Sequence, residues 1–152
     1  MPTSNENPSE QFAAVETLLS TWLQERNHVL AKYTHIAIFT ESAWDGPALE
    51  EQQKDLCALL VDYVSAGHFE VFHRLIAEAE AFADGTEKLA ENLMPAIADT
   101  TEVILAYEEK YSAGPNGPET LERDLSVLGE SLESRFVLED QLIAGLHNTH
   151  RQ

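Results

Sequence analysis

Two Glu-x-x-His pairs are the first residues that could do chemistry, Glu25 with His28 and Glu70 with His73. Three-residue spacing on a helix puts both side chains on one face. Such pairs hold di-metal centres inside four-helix bundles. Glu25, His28, Glu70 and His73 would then make the chain a di-metal bundle oxidase. The helical wheel speaks against this. At about 100° per residue, Glu25 lies on the flank of an apolar stripe and His28 lies nearly opposite it, whereas metal ligands in a bundle must point inward. The chain is therefore read as holding no metal and no other cofactor. His147-x-x-His150 lies near the C-terminus. It is expected to fray and to complement a helix dipole from the surface. His35 and Asp140 have no partner at helical spacing. Cys57 precedes the apolar run Ala58-Leu59-Leu60-Val61 and reads as a small core thiol rather than a nucleophile. The chain has no Gly-rich phosphate loop, no G-x-S-x-G and no H-E-x-x-H. Enzyme is the weaker class, and no catalytic residue is assigned.

Composition bounds the alternatives. The 152 residues are 43% hydrophobic, enough for one core in one domain. A disordered tail is expected over residues 1–8 and a single helical domain over 9–152. One cysteine permits no internal disulfide and fits a reducing compartment. The polar, proline-bearing start does not read as a signal peptide. No window approaches the roughly 20 apolar residues of a membrane span. A cytoplasmic protein is expected. Nine basic residues face twenty-seven acidic ones, a net charge of −18. Such a chain repels nucleic acid and anionic lipid and attracts basic partners. Acidity that serves only solubility is the plainer alternative.

The elements that must position any site are helices. Turn clusters occur at Trp44-Asp45-Gly46-Pro47, at Asp84-Gly85 and at Ala113–Pro118. Between them, apolar residues recur at three- and four-residue steps over about 11–38, 48–82, 87–111 and 119–147. The first stripe contains Val15, Leu18, Leu19, Trp22, Leu23, Val29, Leu30 and Tyr33. The fourth contains Leu121, Leu125, Leu128, Leu132, Phe136, Ile143 and Leu146. Pro95 lies inside the third segment and predicts a kink or break. Four long helices with short connections pack as an all-α antiparallel bundle.

The second segment carries the sharpest candidate site. Leu56, Leu59, Leu60, Tyr63 and Gly67 share the face assigned to the core. Asp62, Ser65 and Phe69 lie at i, i+3 and i+7 on the opposite face, and Phe72 and Ile76 continue that direction. Either an acid, a hydroxyl and aromatics form an outer binding patch, or the helix is buried on both sides and Phe69, Phe72 and Ile76 are a second core face. Gly67 marks a bend or a close approach. Arg26 falls within the first apolar stripe, one turn after Trp22. It needs a carboxylate or a ring face, in an ion pair inside the bundle or on a concave surface.

The run Leu60–Phe69, LVDYVSAGHF, resembles the central motif of the Rsd/AlgQ family, the regulators of sigma D. Trp22-Leu23-Gln24-Glu25-Arg26, with Tyr33, is similar to the opening W-L-x-x-R stretch of that family. Leu128-Gly129-Glu130, followed by Arg135–Ile143, is similar to its C-terminal signature, and Pro95 falls where members carry a proline. The resemblance runs from about Leu18 to His147. It implies a helical bundle that acts as an anti-sigma factor, binding region 4 of the primary sigma factor and keeping it from core polymerase and promoters. It also implies that Asp62, Ser65 and Phe69 grip sigma; Phe72 and Ile76 join the candidate patch only because they continue the direction of that helix face. Trp22, Arg26, Tyr63 and Gly67 either line the groove or hold the bundle. The alternative on the same scaffold is an acidic adaptor for another signalling protein.

Overall fold

The computed structural model describes residues 7–42, 46–112 and 118–151. It is an all-helical antiparallel bundle, and among the described residues no strand is present. The elements are α1 (Pro8–Ser42), α2 (Gly46–Ala66), a π turn (Gly67–Val71), α3 (Phe72–Phe82), α4 (Lys88–Ser112), α5 (Pro118–Leu146) and a final 3₁₀ turn (Asn148–His150). The π turn joins α2 and α3 into one rod, so among the described residues five helices pack as the four rods that the periodicity predicts. α1 packs on α2 and α3, α2 packs on α4, and α4 packs on α5.

Helix α1 begins earlier than its apolar stripe. The Asn7 carboxamide accepts from the Glu10 amide at 2.8 Å, and the Asn7 amide donates to the Glu10 carboxylate at 3.4 Å. Asn7-Pro8-Ser9-Glu10 is thus a capping box with proline at the first helical position. The expected tail is corrected at its end, because Pro8 opens α1; residues 1–6 lie outside those described. Two of the turn clusters fall largely on residues 43–45 and 113–117, also outside the description. The third is a turn in which Ala83 (φ 56°) and Gly85 (φ 82°) both take left-handed conformations. There Ala83 closes the C-terminus of α3, its amide donating to the Ala79 and Glu80 carbonyls. Pro95 does not break α4, which runs on to Ser112.

The core is one cluster. It includes Val15, Leu19, Trp22 and Val29 from α1, Leu56, Cys57, Leu60 and Tyr63 from α2, Ile97, Ile104 and Tyr107 from α4, and Leu121, Leu125, Leu128 and Leu132 from α5. Leu30 departs from its stripe and is 45% exposed. Cys57 is buried, as its neighbours suggested. Burial, with Glu108 nearby, pushes its thiol up to about 12, which leaves it without thiolate near neutrality.

Candidate functional site: an exposed aromatic between two hollows

The site is built where α2 passes into α3. Trp22 lies flat on Tyr63, with ring centroids 4.8 Å apart and planes 5° from parallel. Its indole N–H donates to the Tyr63 carbonyl at 3.2 Å. A β-carbon at Gly67 would stand 2.9 Å from Trp22 Cζ2. Only glycine lets the rod pass that ring. The π turn starts at this glycine, and the Phe72 amide closes it by donating to the Gly67 carbonyl, five residues back. Trp22, Tyr63 and Gly67 are all buried, and so they support the site from within.

The π turn explains a correction. A uniform α-helix would carry Phe72 and Ile76 onward in the direction of Phe69. One extra residue in the turn rotates α3 about its axis by roughly 100°. Phe72 therefore turns inward, 3% exposed, with its ring edge-on to Trp22 at 5.8 Å. Ile76 is half-buried against the core. Phe69, inside the π turn, remains 70% exposed, more than any other large apolar residue described. Asp62 is exposed and Ser65 half-buried. The two open readings of this helix are both partly met: Phe69 belongs to an outer patch, and Phe72 to a second core face.

Phe69 stands on a ridge. On one side is a hollow of about 770 Å³ between the α2–α3 rod and α4. Ser65, Phe69 and Phe72 line it with Met94, Pro95, Ala98 and Leu105. Pro95 has no N–H to give the Glu91 carbonyl one turn back, and Glu91 also lines this hollow. On the other side a second hollow, about 620 Å³, runs between α1 and α3. Ala14, Thr17, Leu18 and Thr21 form one wall, and Glu70, His73 and Arg74 form the other.

Acidic groups edge the ridge. Glu25 is held above the usual carboxylate range, first by burial and then by the nearby Asp62 and Glu70 carboxylates. Three carboxylates thus share one region beside Phe69. Glu25 was legible only as a metal candidate in the sequence; the fold puts it with Asp62. His28, Glu70 and His73 are exposed, and among the described residues no group of three or more His, Cys, Asp or Glu side chains is arranged to hold a metal.

Behind the ridge a buried polar network fixes the rods. The Tyr63 hydroxyl donates to the Glu139 carboxylate. Arg135 Nε donates to the other Glu139 oxygen at 2.8 Å, and its Nη1 donates to Thr101 at 2.7 Å and Thr100 at 3.1 Å. Tyr63, Arg135 and Glu139 are fully buried. Burial, reinforced by Glu139, pushes the Tyr63 phenol far above its usual value, so it remains a donor. Arg26 forms a two-pronged ion pair with Asp140, at 2.8 and 3.1 Å. Its guanidinium lies 4.5 Å over the Phe136 ring. Its side chain is 15% exposed and that of Asp140 is 60% exposed, so the pair lies at the edge of the bundle, with the buried Glu139 carboxylate 3.8 Å away. Asp140 is the partner that helical spacing could not supply. Arg135 and Glu139, four apart on α5, were readable as a helical pair, but their burial was not.

The fold is thus an all-helical bundle that exposes Phe69 between two hollows, above a buried polar network on Tyr63, Arg135 and Glu139. The family model described as regulator of RNA polymerase sigma(70) subunit, Rsd/AlgQ, matches residues 1–147. A regulator of sigma D from Salmonella arizonae is 34% identical over 142 residues, covering 91% of this chain and 86% of the relative. The regulators of sigma D from Yersinia enterocolitica and Yersinia pseudotuberculosis are each 31% identical over 142 residues, again 91% of this chain, and 85% and 84% of theirs. No solved structure matches significantly. The chain belongs to the Rsd/AlgQ family, a family of regulators rather than enzymes. Among the described residues no helix is long and apolar enough to cross a membrane.

Proposed function

We propose that this protein is an anti-sigma factor that binds region 4 of the primary sigma factor and withholds it from promoters. Membership of a family that regulates the sigma(70) subunit supports a sigma factor as the partner. The observation that carries the rest is Phe69, 70% exposed between two hollows and beside the carboxylates of Glu25, Asp62 and Glu70. A promoter-reading helix-turn-helix has a basic face because it meets phosphate. The acidic cluster complements such a face, and an aromatic anchor supplies the central contact of a protein interface. Asp62, for which no ion pair is present among the described residues, is free to take a cation from the partner. Ser65, at the mouth of the larger hollow, supplies a hydroxyl. Phe72 and Ile76 serve from beneath, as floor and packing.

The net charge of −18 predicts association that is fast at low ionic strength and slows as salt screens the surfaces. The test is to mix the full chain with an isolated region 4 fragment and run size-exclusion chromatography. A one-to-one complex that excludes a −35 promoter duplex is the expected result. If the two components elute separately at tens of micromolar, the proposal fails. If they elute together while the duplex still binds, the blocking mechanism fails and the partner stands.

A further inference from the structure

The histidines expected to fray are buried. His147 is fully enclosed and His150 is 9% exposed. Both nitrogens of each ring meet a carboxylate. His147 Nδ1 lies 2.5 Å from Glu78 and its Nε2 lies 2.6 Å from Glu16. His150 Nδ1 lies 2.8 Å from the other Glu78 oxygen and its Nε2 lies 3.0 Å from Asp84. Glu78 on α3 is fully buried and sits between the two imidazoles. Aromatic rings close the faces: Phe12 stacks on His147 at 4.1 Å and Phe82 on His150 at 3.9 Å. Arg151 grips both Glu16 oxygens, at 3.0 and 3.2 Å. Glu16 is accordingly held down to about 2, chiefly by Arg151 and then by His147.

Proton counting decides what this cluster is. A neutral imidazole has one N–H and one lone pair, and an ionised carboxylate only accepts. Four ring nitrogens at 2.5 to 3.0 Å from carboxylate oxygens need four protons. Two neutral rings bring two. The other two must come from solvent. With them, three carboxylates, two imidazolium rings and Arg151 sum to zero charge. Without them the same groups carry two net negative charges, and ring lone pairs face carboxylate oxygens around a fully buried Glu78, while the outer carboxylates, Glu16 and Asp84, are half exposed. α1 contributes Glu16 to this count, α3 contributes Glu78, the turn after α3 contributes Asp84, and the tail contributes its own Arg151.

We propose that residues 147–151 are a proton-operated clasp, which closes on α1 and α3 when it has taken up two protons and lets go when they are removed. The elements it ties together, α1 and α3, are also the two walls of the smaller hollow beside Phe69. The same protons therefore govern how firmly that hollow is held.

The test uses the full chain labelled with ¹⁵N, with the imidazole nitrogens followed by NMR from pH 6 to 10. While the clasp is closed, both nitrogens of His147 and both of His150 are expected to carry protons. Amide protection over 143–151 should fall at least tenfold in the step that removes them. Neutral rings in a chain whose 143–151 amides remain protected, or protection that stays flat while the protons are lost, would overturn the proposal. His150→Gln gives a second reading, since an amide can bond Glu78 without a titrating proton. Thermal melts should show the variant less stable than the parent while both parental rings carry two protons, with the gap closing once those protons are lost. A gap of the same size in both states would mean ordinary packing and no clasp.

Discussion

Phe69 and Phe72 are the same residue type, three apart in the chain, and the structure assigns them opposite consequences. Phe69 leaves 70% of itself in water. A phenylalanine side chain presents about 200 Å², so about 140 Å² is available to a partner. At about 25 cal/mol per Å², complete coverage contributes about 3.5 kcal/mol. Alanine retains part of that and coverage is never complete, which leaves about 2–3 kcal/mol, or roughly 30- to 150-fold in Kd. Stability should change by less than about 0.5 kcal/mol, because the ring supports little. Phe72→Ala instead empties a buried ring space against Trp22 and should cost about 3–5 kcal/mol of folding stability. Calorimetric titration with the region 4 fragment and urea melts of both variants separate the two effects. Parental affinity in Phe69→Ala, or equal destabilisation of the two variants, would refute the division of roles.

Other expectations rest on the same geometry. Gly67→Ala should lower stability by about 1–3 kcal/mol through overpacking, because its methyl meets Trp22 at 2.9 Å and Phe72 at 3.4 Å; a thermal melt at or above that of the parent would contradict the close approach. Cys57, with its thiol pushed up to about 12 by burial, should resist alkylation at pH 8 in the native chain and react at once in 8 M urea (about the unfolding range for small domains). Glu16 is held at about 2 against an ordinary 4.5. Its stabilising contribution is therefore full above pH 4.5 and fades as pH falls from there toward 2. Arg151→Gln should move the Glu16 titration, read from its ¹³C carboxyl shift, upward; an unmoved curve would deny the ion pair.

The helical rods were legible because their apolar spacing is regular and their breaks carry glycine and proline. Leu121, Leu125, Leu128 and Leu132 mark the buried face of α5 in the sequence as they do in the bundle. The capping box at Asn7–Glu10 was also written plainly, yet it lies upstream of the first apolar residue and so outside the stripe. The inward turn of Phe72 was not legible. A wheel drawn at constant pitch has no place for an inserted π residue, and only the contact of Gly67 with Trp22 reveals why one is there. The partners that join distant positions were equally hidden: Arg26 with Asp140, and His147 with Glu16 and Glu78. Each is an acid–base pair that helical spacing cannot bring together. The histidines misled for that reason, since a chain end with no local partner reads as free until the fold supplies three carboxylates.

Docking of a sigma factor on the Phe69 ridge is tested most directly by titrating the ¹⁵N-labelled chain with unlabelled region 4. Saturable amide shifts are expected, centred on Asp62, Ser65 and Phe69 and spreading to Glu25 and to Met94 and Ala98 across the larger hollow. Saturable shifts centred instead on the outer side of α5 around Val137, with the Phe69 region unmoved, would contradict docking there.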